Sequence, residues 1–318
     1  MPRTLDELEQ CIVAALQVDG RASWRRIAVV LGKPERTVAR HGADLLASGV
    51  VSVVGLRTRP ASVLLRLECT PGTSRVTAEA LAQRRDSTFS YLMTGGSDCL
   101  AELLFDPQDL GRILATEVPA IVGLVRAVSY PVLRYFRTIR GWRSGLLSDV
   151  QIAALQSEFT VDSLRPGDSG GLGAQDVRIV DALTEDGRAS IESIARRAGV
   201  SETTARRRTE WLLRNSLVHL RALVEPQALG LPVEAVLWIK AAPGKVEKIG
   251  RALGSQPAVR YAAAVAGDCQ LVADVTLPDQ DGLYRFITDS SWVADADSIE
   301  STLLLQARKR GGRLLPAS

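Results

Sequence analysis

Apolar residues recur at helical spacing near the start of the chain, at Leu5, Leu8, Ile12, Ala15 and Leu16. Thr4 followed three positions later by Glu7 has the form of a capping box, so a helix is predicted to begin at Thr4 or Leu5 and to end near Asp19-Gly20. Ser23 caps a second short helix that turns Ile27 and Ala28 inward until Gly32, and a third is predicted over 35–47. The pattern returns over 175–185, 190–198 and 202–215, with Ser190 and Ser201 as caps and Gly199 at the tight turn. Three short helices with the last two closely joined describe a helix-turn-helix.

The sequence repeats as well as the pattern. An offset of 167 superposes Asp19-Gly20-Arg21-Ala22-Ser23 on Asp186-Gly187-Arg188-Ala189-Ser190, and Ile12, Leu16, Ile27, Thr37, Arg40 and Leu45 on Ile179, Leu183, Ile194, Thr204, Arg207 and Leu212. A second offset, 172, superposes Pro71-Gly72 on Pro243-Gly244 and Gly95 on Gly267. In this second part of each half a strand pattern (Val63-Leu64-Leu65-Arg66-Leu67; Val236-Leu237-Trp238-Ile239) leads through Pro-Gly to a helix (73–85; 244–254). Two strands around a Gly turn, a helix after Pro107 or Pro278 and a last strand complete a βαββαβ order, which predicts a ferredoxin-like sheet with helices on one face. Leu65 and Leu67 are assigned to the face that these helices leave bare, and a covalently supplied second copy is expected to cover it. Helical spacing of Leu147, Val150, Ile152 and Leu155 predicts a short helix before a turn-rich polar linker at 159–173.

The third helices carry the candidate chemistry. In the second copy Ala205, Thr209 and Leu212 share an inward face, which leaves Thr203, Arg206, Arg207 and Glu210 outward with Arg208 at the margin. A helix N-terminus offers free N–H groups to phosphate, and an outward guanidinium can bond a guanine edge with two hydrogen bonds. Candidate DNA contacts are therefore Ser201, Thr203, Thr204, Arg206, Arg207 and Arg208, with Arg36, Thr37, Arg40 and His41 in the first copy. The basic tail Arg308-Lys309-Arg310-Gly311-Gly312-Arg313 could touch phosphate but reads as a solvated terminus.

Composition narrows the alternatives. Net charge is only +3, so the position of the arginines matters more than their total. The four cysteines lack C-x-x-C spacing and are expected as free thiols, although Cys69 ends one predicted strand and Cys99 begins its antiparallel neighbour, which makes a reversible disulfide conceivable. With two histidines, His41 and His219, the chain offers few routes to metal binding or general-base catalysis; no metal, cofactor, catalytic residue or enzyme activity is expected. The start runs directly into a charged amphipathic segment, and no apolar stretch nears the ~20 residues of a membrane helix, so a cytoplasmic protein without a membrane partner is expected.

Asp-Gly-Arg-Ala-Ser, Ile194-Ala195, Gly199-Val200-Ser201, Thr204, Arg207-Arg208 and Leu212, with Leu229-Gly230-Leu231-Pro232 and the Gly turns, together resemble the Lrp/AsnC (feast/famine) regulators, present twice. The resemblance implies an α+β chain in which two winged-helix-like helix-turn-helix domains alternate with two ferredoxin-like domains of the dimeric α/β-barrel type. The expected boundaries are 1–60 and 174–226 for the DNA-binding domains, 61–147 and 227–318 for the ligand-binding and dimerisation domains, and 148–173 for a helix and flexible linker. It also implies a sequence-specific transcriptional regulator bound to double-stranded DNA, controlled by an amino acid or other small-molecule effector and assembled as a homo-oligomer. The family's G-x-x-D ligand loop corresponds to Gly95, Ser97 and Asp98, whereas Gly267, Asp268 and Gln270 replace its last acid with an amide, so effector binding is expected to be altered or lost in one half. Pro34 stands where the second copy has the cap Ser201, and Gly42 where it has Thr209, so the first third helix is expected to be less rigid and the poorer reader. Two alternatives stay open: a tandem enzyme similar to the siroheme decarboxylases, which resemble the same two-part architecture, and a metabolite-sensing assembly protein without DNA binding. Against the first, 61–173 and 227–318 contain no histidine.

Overall fold

The computed structural model describes residues 4–58, 61–156 and 172–315. Its elements run α1 (Glu7–Val18), α2 (Trp24–Leu31), α3 (Glu35–Ala47), β1 (Val51–Arg57), β2 (Ala61–Cys69), α4 (Ser74–Gln83), β3 (Ser87–Met93) and β4 (Cys99–Phe105). A broken helical stretch around α5 (Leu110–Arg112) leads to β5 (Leu124–Arg137), and α6 (Asp149–Leu155) follows. After the linker come α7 (Ala174–Glu185), α8 (Ile191–Ala198), α9 (Glu202–Arg214), β6 (Val218–Val224), β7 (Val233–Lys240), α10 (Val246–Ser255), β8 (Val259–Val265), β9 (Leu271–Leu277), α11 (Gln280–Asp289), β10 (Ser298–Arg310) and β11 (Arg313–Leu314). The expected linker positions 159–171 lie outside the described residues. The chain is α+β, and among the described residues no helix is long and apolar enough to cross a membrane.

The described residues form two compact units, one drawn from 1–58 and 143–230, the other from 59–142 and 231–318. In the first, Ile12, Leu16, Ile27, Val38 and Leu45 are buried in one helical repeat and Ile179, Leu183, Ile194, Ala205 and Leu212 in the other, each buried Ile, Leu or Val contributing roughly 1.5–3 kcal/mol. The start of α1 corrects the sequence reading: Asp6, not Thr4, is the cap, its carboxylate accepting from Glu9 N at 2.8 Å while Glu9 returns the bond to Asp6 N at 3.1 Å. Leu5 is held outside the helix because its N–H donates to Ala228 O at 2.9 Å. The strands β1 and β6 pair antiparallel from Val51↔Val224 to Arg57↔Val218. They tie the two helical repeats together. The helix α6 docks on the first repeat, where Arg26 donates to Ala154 O at 3.0 Å and to Gln156 O at 2.7 Å.

The second unit is a closed sheet in the order β10-β3-β4-β2-β5-β8-β9-β7, with β7 pairing back to β10 and β11 attached to the end of β10. Its two last strands make the closure. Residues 124–131 of β5 pair with β2 of their own half and residues 132–137 with β8 of the other; residues 298–303 of β10 pair with β7 and residues 304–309 with β3. Each half thus lends the end of its longest strand to its copy.

Because side chains alternate along a strand, each strand feeds two cores. Val63, Leu65 and Leu67 pack outward with Ala78 and Leu81 of α4, whereas Leu64 points inward with Tyr91, Tyr130, Trp238 and Tyr261. The bare face is therefore that of Leu64 and Arg66, not that of Leu65 and Leu67: the period was legible but its phase was not. The second copy does cover it, since the inward core mixes residues of both halves. The basic run is also no solvated tail. Arg308 pairs with Glu79, Lys309 donates to Arg84 O at 2.6 Å, and Arg310 is buried against Glu234.

Candidate nucleic-acid interface

In the second repeat, Ser190 Oγ accepts from Ser193 N at 3.1 Å to start α8, and Gly199 ends it at φ 66°, the left-handed conformation that favours glycine. Ser201 Oγ accepts from Thr204 N at 3.3 Å and from there α9 runs with Ala205, Thr209 and Leu212 buried. Thr203, Arg206 and Arg207 are exposed on its outer side. Arg208 is not available in the same way: its guanidinium makes two 2.6 Å hydrogen bonds to the buried Asp176 carboxylate and lies 4.2 Å over the Trp211 ring.

The first repeat shows the same division. Arg36 and Arg40 are exposed, Arg40 lying 3.9 Å from Asp44, while Thr37 is half-buried. His41 turns to α1, its Nδ1 3.5 Å from the buried Glu9 carboxylate. The offset of 167 maps Glu9–His41 onto Asp176–Arg208, so both copies spend this position on holding the third helix to the first. Asp6, Glu9 and His41 also form a group whose ligand-type atoms lie within 4.8 Å, but Asp6 and Glu9 are already engaged in the cap. The missing cap at Pro34 is real, since α3 starts without a side-chain hydrogen bond. Gly42 has a packing cause: a Cβ there would fall 2.3 Å from Trp24 Cζ3. The indole fills the space where the second copy has Thr209.

The repeated Asp-Gly-Arg-Ala-Ser segments meet each other, which the sequence reading missed. Arg21 donates to Gly187 O at 2.7 Å and Ala189 O at 3.1 Å, and Arg188 donates back to Gly20 O at 2.8 Å and Ala22 O at 3.3 Å. Arg188 also lies 4.8 Å over the Trp24 ring. Gly20 and Gly187 both pack against β1, where a Cβ would come within 2.8 and 2.9 Å of Val53. Identical segments in both copies were the available signal, because a reciprocal contact across a twofold-like axis uses one surface twice.

In the closed sheet the two loops have equivalent structural roles. Asp98 Oδ2 accepts from Cys69 N at 2.7 Å, and Gln270 Oε1 accepts from Ala241 N at 3.0 Å, each holding the end of its half's first strand. Gly95 takes φ 85°, Ser97 is buried, a Cβ on Gly267 would strike Tyr130, and Asp268 contacts the Tyr130 phenol, whose pKa burial and this carboxylate raise. Two buried acids, Glu102 and Asp274, stand at equivalent positions of β4 and β9. Glu102 accepts from Thr88 Oγ1 at 2.6 Å, Tyr135 OH at 2.9 Å and Tyr261 OH at 3.0 Å. Asp274 faces Arg260, Arg310, Glu234 and Tyr91, and burial outweighs the arginines to push its pKa up to about 6. Single acids in otherwise apolar strand sequences were the signal for both.

Comparison with known proteins gives matches to both parts. A model of the AsnC-type helix-turn-helix domain matches residues 5–40 and again 173–213, and one of the Lrp/AsnC ligand binding domain matches 234–314. An uncharacterized HTH-type transcriptional regulator of Pyrococcus abyssi is 34% identical over 140 residues, 43% of this chain and 87% of the relative. The HTH-type transcriptional regulator LrpA1 of Halobacterium salinarum is 32% identical over 132 residues, 41% of this chain and 93% of the relative. Over its length the fold is similar to that of the siroheme decarboxylase NirDL in co-complex with an iron-uroporphyrin III analogue, with a TM-score of 0.59 at 13% identity, covering 96% of this chain and 93% of that one. The expectation that the chain is not an enzyme is corrected by this likeness, because the architecture spanning nearly all of it is also that of an enzyme.

Proposed function

Because this chain belongs to the Lrp/AsnC family, we propose that it is a sequence-specific DNA-binding transcriptional regulator in which one polypeptide supplies both helix-turn-helix units of a pseudo-dimer. The observation that carries this reading is the exposed pair Arg206 and Arg207 beside Thr203 on α9, matched by exposed Arg36 and Arg40 on α3. Arg206, Arg207, Arg36 and Arg40 read base edges or phosphates; Ser201, Thr204 and Thr37 sit at the helix starts, where free N–H groups face the backbone of the duplex. Since the two helices differ in sequence, the operator is an imperfect palindrome. The closed sheet takes a small-molecule effector near the loops 94–98 and 266–270, the function is cytoplasmic, and chains assemble further as homo-oligomers.

Footprinting on DNA that flanks its own gene, with and without a pool of amino acids, tests the reading. Protection that is lost in the Arg206→Ala/Arg207→Ala protein supports it; each base-reading arginine accounts for roughly 1–3 kcal/mol of binding. Unchanged protection excludes α9 as a reader.

The full-length likeness to a siroheme decarboxylase favours a second reading, action of the closed sheet on a carboxylated iron porphyrin as substrate. Anaerobic incubation with siroheme, the compound named for that enzyme, separates the two. A visible-band shift with loss of carbon dioxide from the product favours the enzyme; an unchanged porphyrin beside specific DNA protection favours the regulator.

A further inference from the structure

The two cysteines at the end of β2 and the start of β4 stand apart from the interior acids and from the DNA-facing helices. Cys69 Sγ lies 3.9 Å from Cys99 Sγ, and both are free thiols. Bonding distance is about 2.05 Å, and the two residues are diagonal neighbours on one face of the β2–β4 pair, Cys99 standing opposite Leu67. The two sulfurs differ in setting. Cys69 is half-buried, whereas Cys99 is buried, with its Sγ–H directed to Ser74 O at 3.3 Å.

We propose that Cys69 and Cys99 form a reversible, peroxide-responsive disulfide that clamps the loop 94–98 of the first half. The more accessible Cys69 sulfur attacks a peroxide, breaking its O–O bond, releasing water and becoming a sulfenic acid. Cys99 then attacks that sulfur; its proton leaves with the displaced hydroxide as a second water, and the two electrons lost by the sulfur pair reduce one peroxide. Burial pushes the Cys99 thiol above the ordinary range, which disfavours it as the first nucleophile. The clamp acts where the loop is already fastened. Asp98 bonds Cys69 N, and Thr94 N donates to Leu303 O of β10 at 2.8 Å. The equivalent positions of the second half are Ala241 and Leu271, so the response belongs to one half only. It stands independently of the DNA-binding reading.

The full chain is treated with increasing hydrogen peroxide, alkylated and mapped by peptide mass spectrometry. The expected result is a Cys69–Cys99 cross-linked peptide that dithiothreitol removes, with Cys11 and Cys269 still alkylated. The Cys99→Ser protein is expected to trap a sulfenic acid at Cys69 with dimedone, and the Cys69→Ser protein to leave Cys99 unmodified. Independent oxidation of Cys69 to sulfinic acid in the unmutated chain, or alkylation of both sulfurs at every peroxide level, would overturn the proposal.

Discussion

Asp274 is a buried carboxyl whose protonation is linked to stability. Its pKa rises from 3.8 to about 6 in the folded chain, chiefly through burial and against the attraction of Arg260. Between these values the folded protein binds the proton that the unfolded one releases, so this group's contribution falls as pH rises from about 4 to about 6. Asp274→Asn is therefore expected to be more stable than the unmutated protein at pH 7, by on the order of 1–3 kcal/mol, with the difference shrinking towards pH 4. Urea unfolding of both proteins across that range checks it; a difference that grows as pH falls would show that Asp274 is instead held ionised by its arginines. At this scale the sequence was legible where a side chain answers to its own helix, as for Ser190 and Ser201. It was not legible where a partner comes from a distant segment. Arg208, at the margin of its helix, and His41 were both taken as candidate DNA contacts, yet Asp176 and Glu9, far away in sequence, hold them.

At the scale of elements, the helix limits of both repeats followed from caps and apolar spacing, which are local properties, except at the start of α1, where the cap is Asp6 and not Thr4. The strands β1 and β6 were missed although Val51, Val53 and Val54 favour extended backbone, because each becomes a strand only by pairing with the other across 161 to 173 positions of chain. Gly42 shows how local propensity misleads. Helix propensity alone predicts that Gly42→Ala stabilises α3 by about 1 kcal/mol. The Trp24 ring reverses the sign, since a Cβ would meet it at 2.3 Å. Gly42→Ala is expected to destabilise by about 1–3 kcal/mol, read as a lowered melting midpoint, and Trp24→Leu in the same chain to relieve much of the loss. A raised midpoint for Gly42→Ala would refute the packing account.

At the scale of the molecule, the two halves of one chain complete each other: β5 and β10 exchange their ends to close the sheet, and Arg21 and Arg188 clasp the helical repeats. Arginine bonds to backbone carbonyls are worth about 1.5–3 kcal/mol each, so Arg21→Ala/Arg188→Ala is expected to loosen the fixed separation of α3 and α9. Its binding is then less sensitive to base pairs inserted between half-sites; an unchanged spacing preference would show that β1 and β6 suffice. The central claim is that one chain carries two distinct DNA-reading helices. Hydroxyl-radical footprinting of a single operator by three proteins, unmutated, Arg36→Ala/Arg40→Ala and Arg206→Ala/Arg207→Ala, tests it most directly. Two protected half-sites, with each double variant losing a different one, is the predicted result. Protection that survives both variants unchanged, or that never rises above non-specific binding in the unmutated chain, would contradict it.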